Sequence, residues 1–537
     1  MSENNCDVVI VGSGVAGALI AYELTKKNIK VTILEAGTMP DRSQAMKKYY
    51  ESLIKIPECS YEIQAHAPFP TTVGNNYYVN KGKENFSSTY LRVAGGTTWH
   101  WLGTCLRLVP EDFKMQSLFN VGFDWPFSYE ELEPWYHKAE MELGVAGNHS
   151  EDLGSPRKNK YPLPEIPYSL SDIFFAEKLK NTSYKLNHNP QARNSINYDS
   201  RPACCGSASC IPCCPVQAKY DASIHLNKAI KQGAKLITNA VAYEIITDSD
   251  NKVTGINYKR PNKKIETIHS KIFIIAANGI ETAKLLLMSK SEKNKNGVAN
   301  SSDQVGRNLA DHPAVLIYGL APKPIYPFRA PFSTAGIDDF RLGKFRKEHA
   351  SFRIEFHNDG WAFPEGGFFP LIERLTSKGL YGKQLKEEFN KTVSKQVIIS
   401  ILTEMLPNPE NRIIPSTEKF DAIGIPHPEI HFALDDYTKK SFAVGREKSS
   451  DILNLSGCTE IKTVNKWFGA GHIMGTYRMG LNSKDSVVDS NLTSHDHKNL
   501  FLVGAGVMPT TGSANPTLTI AALSLKCANY IKKNILL

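Results

Sequence analysis

The chain has 537 residues, of which 41% are hydrophobic, 22% charged and 10% aromatic. A single hydrophobic core seldom grows beyond roughly 250 to 300 residues, so we expect at least two packed lobes. This composition excludes a disordered or fibrous protein. The formal charge of +9 comes from 63 basic and 54 acidic residues that are scattered along the chain. Because these charges form no basic stripe, they argue against nucleic-acid binding. A surface that docks an acidic redox partner remains an alternative.

The N-terminal residues, Met1 to Asp7, lead directly into an apolar stretch, with no basic segment and no cleavage site of small residues. We therefore expect the chain to carry no signal peptide of its own. No run of about 18 apolar residues occurs, so no membrane-spanning helix is expected.

A strand, a glycine-rich turn, a helix and a second strand are predicted at the start of the chain. Residues 7–11 form a short stretch that is β-branched after Asp7, residues 12–17 read G-x-G-x-x-G, and residues 18–26 have a helical pattern. The second strand, residues 31–34, ends at the acidic Glu35. This order is typical of a unit that binds a dinucleotide.

Each glycine of this turn has a separate physical role. Gly12 permits the tight turn, Gly14 lets the backbone approach a pyrophosphate, and Gly17 lets the helix pack closely on the strand. The helix N-terminus offers free N–H groups to the phosphates. Glu35 accepts hydrogen bonds from ribose hydroxyls and repels a 2'-phosphate, which favours FAD or NAD over NADP.

Five of the ten cysteines fall between Cys204 and Cys214, and the others are isolated. A secreted disulfide framework would spread its pairs along the chain, whereas tight clustering in a large enzyme indicates a metal or cluster site. Small residues between the cysteines let the segment wrap, and the final Cys214-Pro215 is typical of ferredoxin-type ligation. Structural zinc, disulfides and plain thiols stay open as alternatives.

Further segments carry a family resemblance: Gly95–Trp101, Ala276–Thr282, Val305–Pro313 and Asn499–Thr517. They are similar to the glycine-rich segment along the flavin, the strand-to-helix turn near the cofactor, the GxNLxDH segment and the C-terminal closing segment of the glucose-methanol-choline (GMC) oxidoreductases. With the N-terminal motif, the resemblance extends from residue 7 to about residue 530. Within the family, the cysteine cluster resembles the catalytic subunits of bacterial membrane-associated FAD-dependent glucose, fructose and gluconate dehydrogenases.

The resemblance implies an α/β (α+β) fold with a Rossmann-like FAD-binding domain and a discontinuous, sheet-based substrate domain. We expect the FAD-binding domain, with the cysteine-rich loop at 204–214, to comprise 1–120, 195–315 and 440–537. The substrate domain would then comprise 121–194 and 316–439.

The resemblance also implies site residues. Those at the FAD are Gly12, Gly14, Gly17, Glu35, Gly95, Gly96, Thr97, His100, Ala242, Ala277, Gly504, Ala505 and Asn515. His100 has the spacing of a histidine that is bonded covalently to FAD in pyranose oxidase; the alternative is a packed Trp-His-Trp segment beside the flavin.

By the same resemblance, His472 is the base that takes the hydroxyl proton and Asn515 orients the hydroxyl, while His312 holds the fold near the cofactor. The ligands of a 3Fe-4S cluster would be Cys204, Cys210 and Cys214, in a Cys-x5-Cys-x3-Cys pattern. Cys205 matches a family cysteine that is not a ligand. Cys213 stands where the family pattern has an apolar residue, so it is either a spectator or a fourth thiolate.

The function implied is an FAD-dependent dehydrogenase that oxidises a hydroxyl of a sugar, sugar acid or polyol and passes electrons through the cluster to an external acceptor. The alternatives are an oxygen-using oxidase of the same fold and a non-catalytic electron-transfer subunit. Related enzymes work with a small export or chaperone subunit and a membrane-anchored multihaem cytochrome c. We therefore expect a periplasmic complex at the inner membrane, with a cytoplasmic location as the alternative.

Overall fold

A computed structural model describes residues 6–53, 56–74, 76–358 and 368–535. The strands are β1 (Val8–Val11), β2 (Val31–Leu34), β3 (Val79–Asn80), β4 (Leu186–His188), β5 (Lys235–Ile237), β6 (Val241–Thr247), β7 (Val253–Lys259), β8 (Ile265–His269), β9 (Ile272–Ile275), β10 (Pro313–Leu320), β11 (Ala335–Ile337), β12 (Phe352–Phe356), β13 (Gln396–Thr403), β14 (Arg412–Phe420), β15 (Pro426–His431), β16 (Thr459–Thr463), β17 (Phe468–Gly469) and β18 (Leu500–Leu502).

The α-helices are α1 (Val15–Thr25), α2 (Arg42–Glu51), α3 (Met115–Phe119), α4 (Tyr129–Leu143), α5 (Leu170–Leu179), α6 (Ser223–Lys231), α7 (Gly279–Met288), α8 (Phe368–Ser377), α9 (Gly382–Val393), α10 (Asp436–Leu455) and α11 (Thr517–Asn534). Short 3-10 helices cover Gly96–Trp99, Pro110–Phe113, Lys344–Lys347 and Ala505–Val507. The described helices include none long and apolar enough to cross a membrane.

A parallel sheet forms the nucleotide-binding lobe, in the order β18-β9-β1-β2-β5 across the described residues. Strand β1 is central, with Val8 opposite both Val31 and Ile272. Every residue of β1, β2, β9 and β18 is buried, as expected where structure covers both faces of a parallel sheet. Helix α1 packs on β1 and β2, and α6 and α11 pack on α1. The N-terminal elements predicted from the sequence are therefore present.

An antiparallel sheet forms the second lobe, in the order β16-β10-β13-β12-β11-β4, with β17 also paired to β10. Alternate residues of β12, namely Phe352, Ile354 and Phe356, belong to the main hydrophobic cluster. Helix α10 packs on β10, β12 and β13. A smaller sheet, β14-β15-β3, joins residues 79–80 to residues 412–431.

Among the described residues, two segments contact the lobe other than the one to which the sequence assigned them. Residues 459–469, which we placed in the FAD-binding domain, contribute β16 and β17 to the antiparallel sheet. Helix α4, which we placed in the substrate domain, packs on α11 of the nucleotide-binding lobe. Both assignments followed position along the chain, whereas these contacts are long-range. The division into two domains, with its boundaries, stays a prediction.

One buried arginine joins several elements of the second lobe. Arg346 is fully buried, and its Nη2 lies 2.7 Å from Asp112 Oδ1 and 2.9 Å from Glu404 Oε1. Its carbonyl oxygen accepts a hydrogen bond from Tyr437 at the start of α10. The two carboxylates would face each other in a medium of low polarity without this guanidinium.

Replacing Arg346 with methionine should lower the free energy of unfolding by about 3 to 5 kcal/mol, because two buried carboxylates lose their cation. Chemical denaturation followed by intrinsic fluorescence measures this change. Lys383→Met, which removes an exposed lysine 3.8 Å from Glu387, should leave the midpoint unchanged. An unfolding midpoint of Arg346→Met equal to that of Lys383→Met would contradict the assigned role.

Candidate functional site

A large cavity opens at the carboxyl ends of the parallel strands. Its wall includes Gly12, Glu35 and Ala276, which directly follow β1, β2 and β9, and Gly504, which lies two residues after β18. Open α/β sheets bind their ligands at this edge because helix N-termini and loops converge there.

The three glycines of the first turn have the geometry that their spacing predicts. Gly12 has φ of +95°, and a Cβ on Gly17 would lie 2.0 Å from the Gly12 carbonyl oxygen. A Cβ on Gly14 would meet no protein atom within 4 Å, because Gly14 faces the cavity. The turn therefore leaves a cradle at Gly14 that suits a pyrophosphate held by the N-terminus of α1.

Glu35 is 5% exposed and lines the same cavity. Its carboxylate accepts hydrogen bonds from the backbone N–H of Ser13 at 3.0 Å, from the Ser13 hydroxyl at 2.6 Å and from Gly37 N–H at 3.1 Å. A carboxylate offers about four acceptor positions, so one is left for a ribose hydroxyl. Ser13, which the sequence analysis passed over, thus orients Glu35.

Most of the other predicted cofactor residues also line the cavity: Gly96, Thr97, Ala242, Ala277, Gly504 and Ala505. Gly17, Gly95, His100 and Asn515 are not on its wall. Gly95 has φ of +90° and its N–H donates to the Ser13 hydroxyl at 3.2 Å, so it holds residues 95–101 against the first turn.

His100 is buried, and neither ring nitrogen has a hydrogen-bond partner among the described residues. Its ring lies 6.4 Å from that of Tyr61 in an edge-on arrangement. Burial, helped by the positive charge of Lys219, lowers the pKa of His100 to about 3. The imidazole is therefore neutral and packed beside aromatic rings, behind the cavity wall rather than on it.

A buried ionic group on the cavity wall was missed by the sequence analysis. Glu281 accepts hydrogen bonds from the hydroxyls of Tyr77 and Tyr90 and lies 3.1 Å from Lys284 Nζ. Burial alone would raise the pKa of Glu281, but Lys284 and Arg92 lower it to about 2. The carboxylate is therefore charged. Glu281 lies within a segment that carried the resemblance, but no spacing rule connects it to Arg92.

His472 lies on the cavity wall and contacts His312, 160 residues earlier. The two Nδ1 atoms are 2.8 Å apart, and His312 Nε2 is 2.8 Å from the carbonyl oxygen of Gly512. Asp311 Oδ1 accepts hydrogen bonds from the backbone N–H groups of both histidines. One imidazole thus joins the segment that carries His472 to the turn before Asn515.

This chain of hydrogen bonds fixes the tautomer of His472. A carbonyl oxygen only accepts, so His312 donates from Nε2. Burial lowers the pKa of His312 to about 4, so the ring is neutral and its Nδ1 accepts from His472. His472 then carries its proton on Nδ1 and has a bare Nε2. Burial and the neighbouring His312 place the pKa of His472 well below its usual range.

Asn515 is partly buried in the turn that leads into α11. Its side chain forms no hydrogen bond within the described part of the chain, so its amide is free to bind a hydroxyl. The next residues, Pro516 and Thr517, line the cavity. His472 therefore lies on the cavity wall, and Asn515 directly precedes two residues of that wall.

The cysteine-rich loop places its thiols in different surroundings. Cys210 and Cys214 are buried, Cys204 is partly buried, Cys205 is exposed, and Cys213 packs in an apolar cluster that includes Tyr61 and Trp99. All cysteines among the described residues are free thiols. Cys205 thus differs from the three predicted ligands in exposure, whereas Cys213 is buried like Cys210 and Cys214 and its Sγ accepts from the Arg42 guanidinium at 3.6 Å.

Each predicted ligand accepts one hydrogen bond. Cys204 Sγ accepts from Gly206 N–H at 3.4 Å, Cys210 Sγ from the Arg193 guanidinium at 3.2 Å, and Cys214 Sγ from Lys219 N–H at 3.5 Å. Burial raises the pKa of Cys204, and Arg193 opposes this while Cys210 and Cys214 add to it. The three thiols therefore share one electrostatic environment with N–H donors.

Across residues 6–53, 56–74, 76–358 and 368–535, no three His, Cys, Asp or Glu side chains are grouped closely enough to hold a single metal ion. A mononuclear zinc site needs four ligands at about 2.0 to 2.3 Å from one ion. Cluster ligands bind different irons and stand farther apart. The donor chemistry, three thiols with N–H donors, suits a cluster.

Comparison with known proteins identifies the family. The profile described as GMC oxidoreductase matches residues 177–314 in its N-terminal part and 420–524 in its C-terminal part. A profile described as FAD dependent oxidoreductase matches residues 7–46. The large subunit of fructose dehydrogenase from Gluconobacter japonicus is 39% identical, over 99% of this chain and 98% of the relative. The chain belongs to the GMC oxidoreductase family.

Other relatives agree with this assignment. The gluconate 2-dehydrogenase flavoprotein of Pantoea cypripedii is 24% identical over 99% of this chain and 94% of its own length. A crystal structure of formate oxidase has the same fold, with a TM-score of 0.68 at 16% identity over 99% of this chain and 98% of that chain. The predicted family and α/β fold are confirmed, and this GMC protein is an FAD-dependent oxidoreductase.

Two glycine variants separate cofactor binding from folding. Gly14→Ala should fold normally but weaken FAD binding at least tenfold, because the methyl group enters the cradle. Gly17→Ala should instead lower the free energy of unfolding by about 1 to 3 kcal/mol, because its methyl group overlaps a carbonyl oxygen. Flavin titration and denaturation of the flavin-free protein measure both effects. Unchanged FAD affinity in Gly14→Ala would rule out the cradle.

Proposed function

We propose that this GMC protein is a dehydrogenase that oxidises a CH–OH group of a sugar, sugar acid or polyol. The observation that carries the proposal is the bare Nε2 of His472 on the cavity wall, fixed by the hydrogen bond to His312. The similarity to the large subunit of fructose dehydrogenase and to the gluconate 2-dehydrogenase flavoprotein supports the substrate class.

In this proposal His472 accepts the hydroxyl proton at Nε2. The substrate carbon becomes a carbonyl carbon by losing a hydride, and the hydroxyl loses its proton, so two electrons and two protons leave the alcohol. FAD, when bound, supplies the hydride acceptor. The neutral state of His472 matters because only an unprotonated ring nitrogen can take the proton.

Asn515 has the complementary role of holding the hydroxyl. An amide offers two N–H donors and a carbonyl acceptor, and this amide is not engaged by other described residues. An N–H donor facing the substrate oxygen stabilises the negative charge that develops there as the proton moves to His472. The hydrogen bond between His312 and Gly512 fixes the spacing of the two segments.

We further propose that Cys204, Cys210 and Cys214 hold a 3Fe-4S cluster, in accord with their spacing and their N–H donors. A bound cluster would supply a one-electron carrier, which suits transfer to an external one-electron acceptor better than direct reaction with oxygen. Cys205 and Cys213 are spectators in this scheme.

The partners proposed are a small subunit that accompanies export and a membrane-anchored multihaem cytochrome c as electron acceptor, which would place the complex in the periplasm at the inner membrane. The relative named as a large subunit supports assembly with other chains. Copurification from the native host with the neighbouring gene products retained tests this part.

Replacing His472 with alanine should slow flavin reduction by substrate about 10² to 10⁴-fold, because the general base is lost. In the unmodified enzyme, the rate should stay constant from neutral pH down to well below the ordinary histidine value, since burial depresses the pKa of His472. Below that depressed pKa the ring is protonated and the rate falls. Anaerobic stopped-flow bleaching of the flavin measures both effects.

His225→Asn provides the control for His472→Ala, because His225 is a buried histidine that is hydrogen-bonded to Tyr220 and Glu142 away from the cavity wall. It should leave the reduction rate within a few-fold of the unmodified enzyme. If His472→Ala reduces the flavin at the same rate as His225→Asn, a different group is the base.

The substrate and the cluster are tested together by anaerobic titration with aldoses, ketoses, polyols and aldonates. We expect one substrate class to bleach the flavin and to change the low-temperature EPR signal of the iron. Cys204→Ser should remove that signal while bleaching persists, and Cys205→Ser should not. Bleaching with no iron signal in any redox state would refute the cluster, and rapid peroxide formation in air would indicate an oxidase.

A further inference from the structure

A buried lysine joins the cavity wall to the cysteine-rich loop. Lys219 is 1% exposed, and its Nζ donates to the backbone carbonyls of Trp99 at 3.0 Å, Cys210 at 2.8 Å and Trp101. Three acceptors use all three N–H groups of an ammonium, whereas a neutral amine has only two. The geometry therefore requires a positive charge on Lys219.

Arg193 is a second buried cation at the same place. It is 1% exposed, and it donates to the Gln191 side-chain carbonyl, to the carbonyl oxygen of Leu102 at 3.0 Å and to the Cys210 thiol at 3.2 Å. These acceptors are all formally neutral. Among the described residues, the side-chain partners of Arg193 and Lys219 are carbonyl oxygens and a thiol, and neither forms an ion pair with a carboxylate.

Several other buried cations of this chain have carboxylate partners, whereas Arg201, which is 5% exposed, donates to the backbone carbonyls of Ala218 and Leu143 and forms no ion pair among the described residues. Lys284 lies 3.1 Å from Glu281, and Arg353 lies 2.7 Å from Asp338. Burying a charge without a counter-charge costs several kcal/mol per ion. Two like charges at one place add their mutual repulsion. Negative charge beside Arg193 and Lys219 would therefore stabilise the folded protein.

The groups able to supply that charge are the thiols of the loop. The Cys210 thiol contacts Arg193 directly, and the Cys214 thiol accepts from the backbone N–H of Lys219. The nearby Asp221 is already paired with Arg42 at 2.6 Å. Three deprotonated thiols that ligate a cluster would provide the missing negative charge.

We propose that Lys219 and Arg193 are the counter-charges of the iron-sulfur cluster and raise its reduction potential. This inference rests on the proposed function, in which Cys204, Cys210 and Cys214 hold that cluster. A cation beside the cluster favours the reduced form, which carries one more negative charge, and net charge and hydrogen bonds to the sulfurs set such potentials.

The same two cations position the loop against the cofactor cavity. Trp101 lies on the cavity wall, and its carbonyl shares Lys219 with the carbonyl of Cys210. Arg193 makes a similar connection, because its guanidinium donates both to the carbonyl oxygen of Leu102 and to the Cys210 thiol. Lys219 and Arg193 are thus positioning residues that connect the two redox sites and contact no substrate.

Redox titration of the cluster in the flavin-loaded protein, followed by EPR, tests the proposal. Lys219→Met and Arg193→Gln remove the charge, and Arg193→Lys keeps it. We expect the first two variants to lower the equilibrium constant for reduction of the cluster about tenfold, which lowers its reduction potential by about 59 mV for one electron. The potential of Arg193→Lys should stay near that of the unmodified protein. Lys228→Met, at a partly exposed lysine paired with Asp199, should not change the potential.

The outcomes separate the two proposals. An unmodified protein without any iron signal refutes the cluster, and the inference falls with it. A cluster whose potential is the same in all variants refutes the counter-charge role alone. Loss of the cluster from the charge-removing variants, with flavin and melting temperature retained and with Arg193→Lys still loaded, supports it. Equal loss from Arg193→Lys contradicts it, and if Lys219→Met does not fold, the Arg193 pair decides.

Discussion

The site depends on one constraint, the convergence of parallel strands at a single edge. Strands β1, β2, β9 and β18 come from three distant parts of the chain, yet each is followed within two residues by a residue that lines the same cavity. Close packing at this edge needs glycine where helix α1 meets the first turn, because a Cβ on Gly17 would overlap a carbonyl oxygen. The open position of Gly14 follows from that packing, and so does the space for a cofactor.

Buried polar groups then determine the chemistry available at the cavity. His312 connects a carbonyl acceptor to His472 and so selects which ring nitrogen of His472 is bare. Around Glu281, two cations keep a carboxylate charged on the cavity wall. Around Cys210 the situation is the opposite, because the two cations Arg193 and Lys219 have no carboxylate partner among the described residues. The buried charges thus differ between the surroundings of Glu281, of His472 and of the cysteine-rich loop.

The sequence predicted the parts of the fold that local rules control. The turn at Gly12 and the acidic end of β2 were predictable because a tight turn and a ribose partner have short, fixed spacings. The pairing of His312 with His472 was not, since nothing local connects residues 160 positions apart. The same holds for residues 459–469, whose polar alternation suits several sheets until β10 supplies a partner. The roles of Arg193 and Lys219 could not be predicted from the sequence, because their burial depends on how the cysteine-rich loop folds.

The position of β18 affects how this chain acquires its structure during synthesis. Residues 500–502 complete the parallel sheet beside β9, and α11 covers α1, so the first and last segments of the chain form one lobe. Contacts of such long sequence separation form late, because the loop between them must close first. The N-terminal lobe therefore stays open on the ribosome until residues 500–534 have emerged. Termination before residue 500 would leave the edge of β9 unpaired and prone to aggregation.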